Sequence, residues 1–135
     1  MVTMYAGQTL GKYYLNMVSS GASLRERRET VRKIMLNLHK TVVEVISRGY
    51  VNNDIKEDNI CVCQNTGKVT LIDFGLATKV GEAMNTSMFA ENHFWFAPEV
   101  RQGKPCTEAS EVFSLGALWN TFPKTIFSKK VNEWI

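Results

Sequence analysis

Four side chains near the middle of the chain carry the chemistry that is easiest to name: Asp54, Lys56, Asn59 and Asp73. Two are carboxylates, Asn59 brings an amide oxygen, and Lys56 brings a cation. Hard ions such as Mg2+ take oxygen ligands, so Asn59 and Asp73 suit a metal site. Asp54 stands five residues before Asn59 on one polar stretch, Asn52-Asn53-Asp54-Ile55-Lys56-Glu57-Asp58-Asn59, which lets both face one cleft. Gly75 follows Asp73 closely and permits a sharp backbone turn beside such a site. Each residue also has an ordinary use. Asp54 or Asn59 alone would be a turn former bonding its own backbone. Asp73 alone would cap a strand end, and Phe74 alone would be core. Only their joint occurrence argues for a site.

The elements around these residues are legible from periodicity. Val31, Ile34, Met35, Leu38, Val42 and Val45 recur at steps of three and four, an apolar stripe that predicts a helix over about 25–48. Ser23 with Glu26 forms a capping box at its start, and Gly49 ends it. A shorter helix is expected from Leu10 to about Val18. Ile60-Cys61-Val62-Cys63 and Val69-Thr70-Leu71-Ile72 flank Gln64-Asn65-Thr66-Gly67-Lys68, a β-hairpin pattern over 60–72. The polar stretch lies between the long helix and this hairpin, and Asp73 leaves its second strand. Residues 74–96 show only weak patterning, and a structureless loop of that length is usually functional. A helix over 109–121 carries Val112, Phe113, Leu115, Leu118 and Trp119 around most of its circumference, so deep burial is expected. The fold class is therefore mainly α with a small β-hairpin, an α+β arrangement.

Composition narrows the remaining classes. The 135 residues are 44% hydrophobic, enough for one globular unit with a small core. The net charge of +3 comes from 16 basic against 13 acidic residues without a basic block, so no nucleic-acid or membrane partner is indicated. The mixed run Arg25-Glu26-Arg27-Arg28-Glu29 reads as a solvated helix start. Cys61, Cys63 and Cys106 form neither a disulfide framework nor a zinc pattern. His39 and His93 lack ligand-spaced partners and read as packing or surface residues. No signal peptide and no membrane span stands out, which points to a reducing cytoplasmic or nuclear location.

Three short motifs occur in order: Asn52 to Asn59, then Asp73-Phe74-Gly75, then Ala97-Pro98-Glu99. Each alone arises easily by chance. Together, and in these contexts, they resemble the protein kinase signatures H-R-D-x-K-x-x-N, D-F-G and A-P-E. The resemblance covers almost the whole chain and implies the C-terminal lobe of a kinase domain. Val2 to Gly7 resembles the hinge, with Thr3 as gatekeeper and Met4, Tyr5 and Ala6 facing the adenine edge of ATP. Residues 9–18, 25–48 and 109–121 resemble helices D, E and F. Cys61 falls where the family puts an apolar residue beneath the adenine, a place that simple core packing explains equally well. Residues 73–99 resemble the activation segment. In this reading ATP and Mg2+ are the cofactors, Asn59 and Asp73 the metal ligands and parts of the nucleotide site. Asp54 orients the substrate hydroxyl, and Lys56 places a cation beside the transferring phosphoryl group. Lys56 before Asn59 leans the acceptor toward protein Ser/Thr hydroxyls, although Trp95-Phe96-Ala97-Pro98-Glu99 echoes tyrosine kinases.

The chain also departs from the pattern. The Gly-rich loop and strand lysine of the N-terminal lobe have no counterpart before Thr3, and the helices expected after helix F are missing. The sequence therefore reads as a kinase lobe truncated at both ends, with a missing N-terminal lobe as one expected partner. Asn52 and Asn53 replace the His and Arg of H-R-D, so no charged clamp awaits a phosphate on Thr86 or Ser87. Asn92 stands in place of a Thr, Glu111 replaces the helix F Asp that anchors the catalytic loop, and Glu99 lacks its usual Arg. Three functions follow: a protein kinase domain seen as a fragment, a kinase-like module that binds or scaffolds a partner protein without phosphotransfer, and a small-molecule kinase. Ala97-Pro98-Glu99 counts against the third. For the chain by itself, weak or no transfer and a tendency to aggregate are expected.

Overall fold

The computed structural model describes residues 7–63, 65–90 and 93–127. In chain order its elements are β1 (Gln8–Thr9), α1 (Leu10–Ser19), α2 (Leu24–Ser47), β2 (Tyr50–Val51), β3 (Ile60–Val62), β4 (Val69–Leu71), β5 (Thr78–Lys79), α3 (Pro98–Arg101) and α4 (Glu108–Trp119). Thr3, Met4, Tyr5 and Ala6, placed at the hinge from sequence, lie outside the described residues, as does Asn92.

Helix α2 is the backbone of the fold. Ser23 accepts from the Glu26 amide at 3.1 Å and donates its own amide to Glu26 Oε1 at 3.3 Å, so two orphan donors are satisfied at once. Val31, Ile34, Leu38 and Val42 form its buried stripe. Gly49, at φ 91°, turns the chain out of the helix. Leu10 and Tyr14 of α1, Ile60, Val62 and Leu71 of the sheet, and Leu115, Leu118 and Trp119 of α4 close over that stripe as one core.

Two small antiparallel sheets flank α2. In the first, β3 lies between β1 and β4, with Cys61 opposite Thr9 on one side and Thr70 on the other. Gly7 leads into it at φ 103°, and a Cβ there would sit 2.2 Å from the Val62 carbonyl oxygen, so only glycine fits. The second sheet pairs β2 with β5, Val51 opposite Thr78. It corrects the expectation of an unpatterned 74–96 stretch. Thr78–Lys79 joins a strand leaving α2, and Thr86–Met88 forms a 3₁₀ turn. Two-residue strands are too short to show alternation, and only their pairing reveals them. Val51, Met84, Phe96, Ala97, Val100 and Cys106 make a second, smaller core beneath this segment.

The expected all-round burial of the 109–121 helix also needs correction. Helix α4 buries Ser110, Glu111, Ser114, Leu115, Leu118 and Trp119, whereas Val112 and Phe113 are 57% and 42% exposed. The inward face is partly polar because it serves the loop before β3. Composition around the helix could not reveal that.

Candidate active site

The polar loop from Asn52 to Asn59 is built on two short sheets and one buried carboxylate. Glu111 of α4 is 1% exposed, and its two oxygens accept the backbone amides of Asn52 at 2.8 Å and Asn53 at 3.1 Å. Burial pushes its carboxyl pKa up, and the two amide donors offset part of that rise. The added methylene of Glu relative to the family's Asp therefore does not prevent anchoring: both amides are engaged.

Asn53 is the one non-glycine residue at positive φ among the described residues, at 65°. Asn tolerates this left-handed region better than most side chains. Its Nδ2 donates to the Leu76 carbonyl and to Thr78 Oγ1, both at 3.0 Å. Asn52 Nδ2 donates to the Asp73 carbonyl at 3.0 Å, while its Oδ1 accepts the Asp54 amide at 2.9 Å. The two substitutions flagged from sequence thus tie the loop to the Asp73 segment through neutral bonds. Phe74, which alone would read as core, is 45% exposed.

Asp54, Lys56 and Asn59 are brought together. Asn59 Nδ2 donates to the Asp54 carbonyl at 3.0 Å and to Asp54 Oδ2 at 2.8 Å. Lys56 Nζ stands 3.9 Å from Asp54 Oδ1. Asp73 is linked through the backbone: the Ile72 amide donates to the Asn59 carbonyl at 3.0 Å, which sets Asp73 beside this group. Asp73 Oδ1 accepts the Gly75 amide at 2.8 Å. Gly75 is not at positive φ. Its glycine suits the close approach of that carboxylate, 3.0 Å from where a Cβ would stand, rather than a left-handed turn.

The oxygen donors of this group suit a cation. Asn59 spends its amide nitrogen on Asp54, so its Oδ1 stays open, and Asp73 keeps Oδ2 open among the described residues. No group of three or more His, Cys, Asp or Glu side chains among the described residues forms an all-protein cage. Mg2+ is commonly held by one or two protein oxygens with substrate phosphates and waters completing the shell, so the residues fit it. Cys61 is buried in β3 with its thiol pKa raised by desolvation, and no hydrogen bond among the described residues joins it to the group.

Sequence reading missed several contacts. Lys56 Nζ lies 4.7 Å from the centre of the Trp95 ring. Trp119 Nε1 donates to His39 Nε2 at 3.1 Å, so His39 ties α2 to α4 instead of merely filling space. Arg101 donates to the His93 carbonyl at 2.6 Å and the Ala90 carbonyl at 2.9 Å. None of these had a local signal, since the partners lie far apart in sequence or, for Arg101, in an unmotivated spacing.

Residues 1–133 match the family described as protein kinase domain. Among curated proteins, the MAP kinase kinase MKK1/SSP32 of Saccharomyces cerevisiae is 34% identical over 117 residues, covering 82% of this chain and 21% of that protein. The serine/threonine-protein kinase mos of Patiria pectinifera is 29% identical over 126 residues, covering 88% of this chain and 34% of its own length. The chain therefore spans about a fifth to a third of these relatives. Among solved structures, the Cydia pomonella granulovirus kinase PK-1 aligns with a TM-score of 0.62 at 18% identity, over 73% of this chain and 36% of that one. That likeness shows the fold alone.

Proposed function

The chain belongs to the protein kinase domain family, and on that premise we propose that it supports phosphoryl transfer from Mg2+-bound ATP to Ser/Thr hydroxyls of proteins. One observation carries the reading: the open oxygens of Asn59 and Asp73 are held beside Asp54 by Asn59's two bonds and by the Ile72–Asn59 link. ATP would supply the phosphoryl group and Mg2+ the charge neutralisation. Asn59 and Asp73 would hold the ion. Asp54 would take the proton of the attacking hydroxyl, with Asn59 fixing its orientation. Lys56 would face the transferred group, and Glu111, Asn52 and Asn53 would keep the loop in place. Thr3, Met4, Tyr5, Ala6 and Cys61 remain the proposed adenine contacts. The Ser/Thr preference draws on Lys56 and on the similarity to mos, a serine/threonine-protein kinase.

A second reading, a lobe that binds a partner protein without transfer, is favoured by a separate feature. Tyr50 and Phe74 expose apolar surface around a hollow of about 550 Å³ shared with Thr41, Val45, Ala77 and the Glu44–Arg48 ion pair. Thermal melting with and without Mg2+-ATP, beside Asp73→Ala, separates the readings. At ten times Kd a bound nucleotide adds about 1.4 kcal/mol, a rise of several degrees. A rise that needs Asp73, followed by transfer of labelled phosphate to a protein acceptor, supports the kinase reading. A cooperative melt with no shift favours the binding module.

A further inference from the structure

We propose that Trp95 is a positioning residue for Lys56, its indole face holding the ammonium where the phosphoryl group is to be transferred. The proposal rests on the phosphotransfer reading for its purpose, but not for its geometry. Lys56 Nζ sits 4.7 Å from the Trp95 ring centre and 3.9 Å from Asp54 Oδ1, so the cation is bracketed by a π face and a carboxylate. A cation over an aromatic face within about 6 Å is attracted by the ring quadrupole. Lysine is a flexible point charge, and one carboxylate at 3.9 Å does not by itself fix its direction.

The ring is held for its face and not for its N–H. Trp95 Nε1 is buried without an acceptor among the described residues. What orients the indole is packing: His93 at 4.9 Å, Phe96 at 5.3 Å and Phe94 at 5.7 Å between ring centres. Its backbone is pinned as well, since Ser114 Oγ of α4 donates to the Trp95 carbonyl at 2.5 Å. Helix α4 therefore anchors the loop bearing Lys56 through Glu111 and the segment bearing Trp95 through Ser114, one turn apart. The two partners are set by the same rigid element.

The substitutions that isolate the face follow. Trp95→Phe keeps a π face and removes an orphan donor, whereas Trp95→Leu keeps apolar bulk without a π face. Ring current should move the Lys56 ε-methylene signals upfield in an NMR spectrum of the full chain, assigned by Lys56→Arg. We expect that shift in the parent and in Trp95→Phe, and its loss in Trp95→Leu. Where the parent transfers phosphate, kcat should fall about 3- to 30-fold in Trp95→Leu and far less in Trp95→Phe, with nucleotide affinity unchanged. A parent spectrum with no upfield lysine ε signal overturns the proposal, whatever the variants do. So does a folded Trp95→Leu with parental kcat. If the parent shows the shift but no protein transfers phosphate, the phosphotransfer reading fails while the contact stands.

Discussion

Replacing Glu111 by Gln probes the anchor on which the whole site depends. The carboxylate accepts two amides, at 2.8 and 3.1 Å, from a position almost wholly removed from water. Gln offers one acceptor oxygen and turns an NH2 group toward the second amide. That leaves one buried N–H without a partner, at about 1–3 kcal/mol, and weakens the other bond by roughly 1 kcal/mol because charge assistance is lost. Relief from burying a charge, the cost that holds the Glu111 pKa up, offsets part of this. The net cost is about 1–3 kcal/mol, which for a domain of this size lowers Tm by roughly 4–12 °C. Calorimetry gives the global number, and amide exchange at Asn52 and Asn53 gives the local one. Both amides should lose protection in the variant beyond the average of the core. A Gln variant melting within about 1 °C of the parent, with those two amides still protected, would refute the claim that this carboxylate holds the loop.

Two further outcomes are expected. His39 must be neutral at Nε2 to accept from Trp119, and burial holds its pKa below the ordinary 6.5, so its contribution is present above that pH and lost as pH falls through the lowered value. Urea midpoints of the parent should drop relative to His39→Gln between pH 7 and pH 5, and parallel curves would dismiss the effect. Gly7→Ala puts a methyl 2.2 Å from the Val62 carbonyl oxygen at φ 103°, and a loss of about 2 kcal/mol or more by denaturant titration is expected.

The departures from the kinase pattern take on a common sense in three dimensions. Asn52, Asn53 and Glu111 lie in one buried network that couples the Asn52–Asn59 loop, the Leu76–Thr78 segment and α4. Asn53 joins loop and segment through two neutral bonds, so this link needs no added charge. Removing any one member leaves buried partners unsatisfied, which makes the network cooperative.

How much was legible depended on the range of the interaction. The long α2 helix was legible because its apolar stripe repeats at 3.6 residues and its Ser23–Glu26 cap spans only three, both strictly local properties, and the turn-flanked runs that became β3 and β4 were legible for the same local reason. The motif residues Asp54, Lys56, Asn59 and Asp73 were legible too, because loop and strand-end chemistry is written at fixed spacings. Four things only the tertiary structure decided. Residues 50–51 pair with 78–79 across the 26 residues that separate the two strands, with too few residues in each to show a period. Helix α4 turns its polar face inward, because Glu111 and Ser114 serve segments that arrive from elsewhere. His39 finds Trp119, and Lys56 finds Trp95, through the packing of α4 against α2 and the loop. Local sequence encodes what a residue can do and which element it sits in. Which partner meets it is set by how those elements pack, since burial and pairing energies act between residues that the chain itself keeps far apart.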